Sequence, residues 1–162
     1  MRPSPLRAWL WLAIAVLCQM ALGVIWPTLS WMPDLIGALV VAAALENDAA
    51  TALLIGLVAG AWQDLSLGRL IGLHASLWAL TGYLISTLQR RISSESWLVT
   101  AWVGLIALFL ERLVEWVVLI LVGIAVDPVG ALFAGTVVSV PFVLLFRRLL
   151  HVQRRSYGRA VP

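Results

Sequence analysis

Lysine is absent from this 162-residue chain, so all eleven of its basic side chains are arginines. Cysteine occurs once, at Cys18, which rules out an intrachain disulfide and leaves the redox compartment unread. Charged residues make up only 12% of the sequence against 62% hydrophobic ones, a balance that excludes a soluble globular domain. The loops are too short to carry a separate catalytic domain or to build a basic groove for nucleic acid. There is no phosphate-binding glycine loop with its lysine, no HExxH helix and no GxSxG elbow. ATP hydrolysis, zinc-dependent hydrolysis and serine acyl transfer therefore lack their signatures, and no enzyme is expected. The two histidines, His74 and His151, have no second ligand at metal spacing along the chain, so polar contacts are expected of them, with no metal and no cofactor.

What the chain does hold is apolar runs that reach or approach the ~20 residues needed to span a bilayer as helix. They cover Leu6 to Ile25, Asp34 to Leu45, Ala49 to Leu65, Leu70 to Leu88, Trp97 to Val126 and Val129 to Phe146. The expected fold is an all-α integral membrane protein, a six-transmembrane-helix bundle over residues 1–146 with a basic cytoplasmic tail over 147–162. Arg2 and Arg7 before the first run resemble a signal sequence, but Ala21-Leu22-Gly23 is a poor cleavage site, so the run is expected to stay as an anchor. Trp9, Trp11 and Trp26 mark the interfacial layers. Asp127-Pro128 reads as a helix cap, and Pro141 as a kink in the last span.

The second run has too few apolar residues to be read as a span by length alone. Charge placement decides it. If it crosses, Arg2, Arg7, Arg90, Arg91, Arg147, Arg148, Arg154, Arg155 and Arg159 all share one side, leaving Arg69 opposite and Arg112 inside the fifth span. If it does not cross, Arg90, Arg91 and the tail face outward, against the excess of arginine that marks cytoplasmic segments. Six spans with both termini in the cytoplasm follow.

The stretch from Ala52 to Ser76 carries the most specific pattern. Ala52, Gly56, Gly60 and Asp64 recur every fourth residue and line one side of a helix. Small residues at that spacing let another helix approach closely. Gly68 and Gly72 then punctuate a short loop. Gly56, Gly60, Asp64, Gly68 and Gly72 form a candidate partner or packing face. Two readings stand for Asp64: it closes a helix–helix contact, within the fold or against a partner, or it marks the membrane exit.

Glu111, Arg112 and Glu115 lie near the middle of the fifth span. Each charge at the bilayer centre costs about 2.5–3.5 kcal/mol, so this face is expected to look into the bundle, a hydrated cavity or another protein. Arg112 and Glu115, three apart, are placed to pair. A packing network, a partner-binding face and an ion or proton pathway are all consistent with the trio. The tail arginines Arg147, Arg148, Arg154, Arg155 and Arg159, with no acid among them, are suited to an anionic leaflet. Docking to a cytoplasmic partner is the other use. The serines around Glu95 are explained by helix capping.

Several stretches together resemble a known family: Pro33-Asp34 opening the second run, the Gly56/Gly60 face leading to Gln63-Asp64-Leu65, Gly68, Leu70-Ile71-Gly72-Leu73, and Val140 to Arg148. On these the chain resembles the bacterial rod-shape-determining MreD family. The resemblance implies a non-enzymatic inner-membrane scaffold of the cell-elongation machinery that makes peptidoglycan. It implies binding of MreC and support for MreB filaments and for a glycan polymerase with its transpeptidase. It also implies a bundle similar to the substrate-binding subunits of energy-coupling-factor vitamin transporters. Under that scaffold reading the Gly56/Gly60 face, or the charged face of the fifth span, receives a partner's membrane helix; self-association stays open. A second reading is a small-molecule uptake subunit, with Trp62, Trp78, His74 and Asp64 lining a cavity. A third, a proton-coupled enzyme or channel, rests on Glu111 and Glu115 alone.

Overall fold

In the computed structural model the described residues, 5–26, 31–68, 70–89, 96–124 and 129–158, form six α-helices. Side chains are described within 8–26, 31–68, 70–89, 96–124 and 130–150. The helices are α1 (Pro5–Ile25), α2 (Leu35–Glu46), α3 (Ala49–Leu67), α4 (Leu73–Gln89), α5 (Trp97–Leu121) and α6 (Val129–Gly158). Three stretches, Ala8–Ile25, Ala49–Leu67 and Gly130–Leu150, are long and apolar enough to cross a membrane. Arg2, Arg69, Arg90, Arg91, Ser93 to Glu95, Asp127-Pro128 and Arg159 lie outside the described residues. So do the side chains of Arg7, His151, Arg154 and Arg155.

The core is built around the shortest helix. Every residue of α2 from Leu35 to Leu45 is buried, and α1, α3, α4, α5 and α6 all pack on it. A helix that is apolar all round belongs inside other protein, which is where Ala38, Ala42, Ala43 and Ala44 let its neighbours approach. At 1.5 Å per residue, its 12 residues rise about 18 Å, well short of the ~30 Å hydrocarbon core. Both ends of α2 therefore need partners from the protein, because lipid offers none. At the start, Asp34 accepts from the Gly37 N–H at 2.8 Å, and its own N–H donates to Ser139 Oγ of α6 at 2.8 Å. The Leu35 N–H donates to Gln19 Oε1 of α1 at 2.9 Å. At the far end, Ser86 Oγ of α4 donates to the Asn47 carbonyl at 2.8 Å, and Arg147 Nε of α6 lies 3.3 Å from Glu46 Oε1.

These contacts also set the helix directions. Glu46 meets Arg147 while Asp34 meets Ser139, so α2 and α6 run parallel. Gly37 lies on the Trp78 ring and Asn47 beside Ser86, so α2 and α4 are parallel too. Trp11 packs edge-on to Phe146, with ring centroids 6.3 Å apart, while Gln19 reaches Leu35; α1 is antiparallel to both partners. Gly104 against Val143 and Gly135 against Arg112 make α5 antiparallel to α6. The directions alternate, and α1 begins at the same end of the bundle as α6 leaves it.

Helix ends follow local chemistry. At the end of α5, Gly123 takes φ 78°, and the Ile124 N–H reaches back to the Leu119 carbonyl at 2.9 Å. That left-handed closure stops the helix at Leu121, earlier than the apolar run to Val126 suggests. In the other direction, α6 passes through Pro141 and continues past Phe146 to Gly158. The stretch read as a tail is helical as far as that glycine, and its first arginine, Arg147, is tied to Glu46.

Candidate functional site

The four-residue recurrence on α3 is filled by α4. A Cβ added at Gly56 would land on the Trp78 carbonyl, and one at Gly60 on the His74 carbonyl. From the other side, a Cβ at Gly82 would lie 2.7 Å from the Ala52 carbonyl oxygen. The two backbones are therefore in direct contact, and no side chain larger than hydrogen fits between them. The expectation that this face receives a partner's helix is corrected: α4 already occupies it. Gly68 and Gly72 do not belong to the packing face, since nothing lies within 4 Å of a Cβ at either. Their contribution is conformational, with φ 61° and 97°, turning the chain from α3 into α4.

Asp64 ends this face, and its role is a cap across the turn. The first turn of α4 has N–H groups with no intrahelical acceptor. Asp64 Oδ2 accepts from the Gly72 N–H at 2.8 Å and from the Ala75 N–H at 3.1 Å. Its Oδ1 accepts from the His74 N–H at 2.9 Å and also lies 2.9 Å from His74 Nδ1. The carboxylate, 2% exposed, thus sits at the positive end of the α4 dipole with its lone pairs in use.

His74 is carried by this cap into the bundle, where α5 presents two acids to it. His74 Nε2 is 3.6 Å from Glu111 Oε1 and 3.5 Å from Glu115 Oε1. Glu111 and Glu115 are four apart, one helical turn, so both carboxylates point to α4. The side chains of His74 and Glu111 are only 5% and 2% exposed, and that of Glu115 is 22% exposed. Among the described residues, His74 Nε2 and Glu111 Oε1 have no hydrogen-bond partner. One ligand atom from each of the three residues can be chosen so that all lie within 4.8 Å of one another. Asp34, at the start of α2, is near enough to Glu111 for their charges to interact.

Arg112 does not pair with Glu115 as their spacing suggests. Its Nη2 donates to the Met32 carbonyl at 3.1 Å, and Gly135 of α6 leaves room for the guanidinium. The carboxylates face α4 instead, and the charged face of α5 looks into the fold. Both faces expected to meet a partner are thus turned inward.

The remaining expected site residues are dispersed. Trp78 is fully buried, with its Nε1 donating to Gln63 Oε1 at 3.0 Å, whereas Trp62 is exposed on the outer face of α3. Arg148 is exposed, one position beyond the paired Arg147. Sequence reasoning took His74 for a lone polar contact and passed over Ser139, Gln19 and the capping role of Asp34. The available signal was an aspartate ending one span and a histidine opening the next, separated by two glycines.

No curated protein and no solved structure matches the chain at a significant level. The family model described as rod shape-determining protein MreD matches residues 5–153, nearly the whole length. The family's description is one of cell-shape determination, and the helices that it covers include all three that are apolar and long enough to cross a membrane. On that match, the chain belongs to the MreD family of rod shape-determining membrane proteins.

Proposed function

We propose that this chain is a non-enzymatic scaffold of the cell-elongation machinery in the bacterial inner membrane, and that it binds the membrane helix of MreC laterally. The observation that carries the proposal is the family match over residues 5–153 in a chain that is almost entirely bundle. With so little outside the helices, recognition takes place on their lipid-facing sides. The inward faces of α3 and α5 are used within the fold, so the partner meets outward ones. Leu10, Ile14 and Leu17 of α1 and Trp102, Ile106 and Leu110 of α5 are exposed apolar side chains on such faces.

In this reading all six helices cross, with α2 embedded among the others, and both ends of the chain lie in the cytoplasm. The alternating directions and the arginines that follow α4 and close α6 support that orientation. The likeness to substrate-binding subunits of energy-coupling-factor transporters rests on family resemblance alone. The small-molecule reading has less support: Trp78 is wedged against Gly37, Asp64 and His74 bond to each other, and Trp62 points outward. MreB filaments, the glycan polymerase and its transpeptidase enter through the same assembly.

The test is site-specific photo-crosslinking in growing rod-shaped cells, from Leu17 on α1 and Ile106 on α5, followed by pull-down in mild detergent. The expected result is a crosslink to MreC from at least one position, with MreC co-purifying. Absence of MreC from both the crosslinks and the pull-down overturns the proposal. Labelling of a C-terminal cysteine from outside intact cells overturns the orientation.

A further inference from the structure

We propose that His74, Glu111 and Glu115 bind one divalent transition-metal ion of the Zn²⁺ class inside the helix bundle. Asp64 fixes the hydrogen on one ring nitrogen of His74: its Oδ1 lies 2.9 Å from Nδ1 and, as a carboxylate, can only accept. Nδ1 therefore carries a hydrogen, and when the ring is neutral Nε2 presents a lone pair. A carboxylate holding the far side of an imidazole is the usual support for a metal-bound histidine, because it fixes the ring and raises its basicity.

Nε2 is buried and has no hydrogen-bond partner among the described residues, and it faces Glu115 Oε1 at 3.5 Å and Glu111 Oε1 at 3.6 Å. Those distances are too long for hydrogen bonds. Two carboxylates and an imidazole nitrogen that converge at this range are held together by a cation or by a shared proton. The spacing suits one: ligands bound to zinc at about 2.0–2.2 Å in a tetrahedron stand roughly 3.3–3.5 Å from each other. The two Nε2–Oε1 separations match that edge to within a few tenths of an ångström, and the three ligand atoms all lie within 4.8 Å of one another.

Charge points the same way. Asp34 and Asp64 each sit at the N-terminus of a helix and accept backbone N–H bonds, which compensate their charge. Glu111, whose side chain is 2% exposed, has no such dipole, and Arg112 spends a donor on Met32. A dication offsets its charge where lipid surrounds the bundle. One imidazole with two carboxylates suits Zn²⁺, Fe²⁺ or Mn²⁺ better than Ca²⁺ or Mg²⁺, which take oxygen alone. Three protein ligands would leave a fourth position for water. The inference is independent of the scaffold reading.

The probe is Zn²⁺ itself. Full-length protein, purified in mild detergent with a histidine-free tag, is stripped with EDTA and dialysed against limiting Zn²⁺ in excess Mg²⁺. Bound metal is counted by mass spectrometry, and thermal unfolding is followed with and without Zn²⁺. The expected result is one Zn²⁺ per chain, a melting temperature that rises with Zn²⁺, and at least tenfold weaker binding in Glu111→Gln and Glu115→Gln. His151→Gln, which alters the chain's other histidine, keeps the full equivalent. Glu115→Gln, at the partly exposed position, decides the matter if Glu111→Gln does not fold. No retained Zn²⁺, or equal retention by wild type and the glutamine variants, overturns the proposal. So does a melting temperature indifferent to Zn²⁺, the outcome expected if a shared proton bridges the three groups.

Discussion

Replacing Asp64 by asparagine tests the cap between α3 and α4 at nearly constant volume. The carboxylate serves four donors: the N–H groups of Gly72, His74 and Ala75, and His74 Nδ1. Asparagine keeps one accepting oxygen with two lone pairs and turns an NH2 group toward the other donors. Two of the four donors are left without an acceptor. Side-chain hydrogen bonds between membrane helices are worth only about 0.6 kcal/mol on average, because separated helices keep their own backbone bonds and find other partners. The first N–H groups of α4 differ, since they have no acceptor in their own helix either. For them the relevant figure is the ~1–3 kcal/mol cost of a buried unsatisfied donor. Two such donors, with the lost charge–dipole attraction of about 0.3–1 kcal/mol, give an expected destabilisation of about 2–7 kcal/mol. The assay is SDS-induced unfolding in mixed micelles, followed by circular dichroism and tryptophan fluorescence. Asp64→Asn is expected to unfold at clearly lower SDS than wild type. A stability within about 0.5 kcal/mol of wild type, the size of a typical surface substitution, would refute the capping role.

Gly60→Ala is expected to lower the melting temperature markedly, because its Cβ would meet the His74 backbone, whereas Gly23→Ala, with nothing within 4 Å, is expected to leave it unchanged or slightly raised. Equal effects in a thermal-shift measurement would contradict the close α3–α4 contact. Arg147→Met is expected to destabilise by about 1–4 kcal/mol, since it removes the ion pair to Glu46, whose side chain is 6% exposed, at the end of α2. The double variant Glu46→Gln/Arg147→Met should recover part of that loss; strict additivity in SDS unfolding would show that the pair is not coupled.

The sequence by itself determined the class of the protein and the approximate places of its helices. Apolar runs, caps and glycines act over a few residues, so they are legible along the chain. The start of α2 near Asp34 was visible, and so was the spacing of Gly56 and Gly60 as a close-packing face. What surrounds α2 was not legible, because burial on every side is a property of five other helices.

Tertiary structure alone decided which helix fills the glycine face, where Arg112 goes, and what stands opposite Glu111. His74 and Glu111 are 37 positions apart, and no periodicity links a residue on α4 to one on α5. Only the packing of those helices, with Asp64 holding the imidazole in place, brings the nitrogen of one to the acids of the other. Hydropathy reports how willingly a segment leaves water; which segment it then lies against depends on shapes and polar partners distant in the chain.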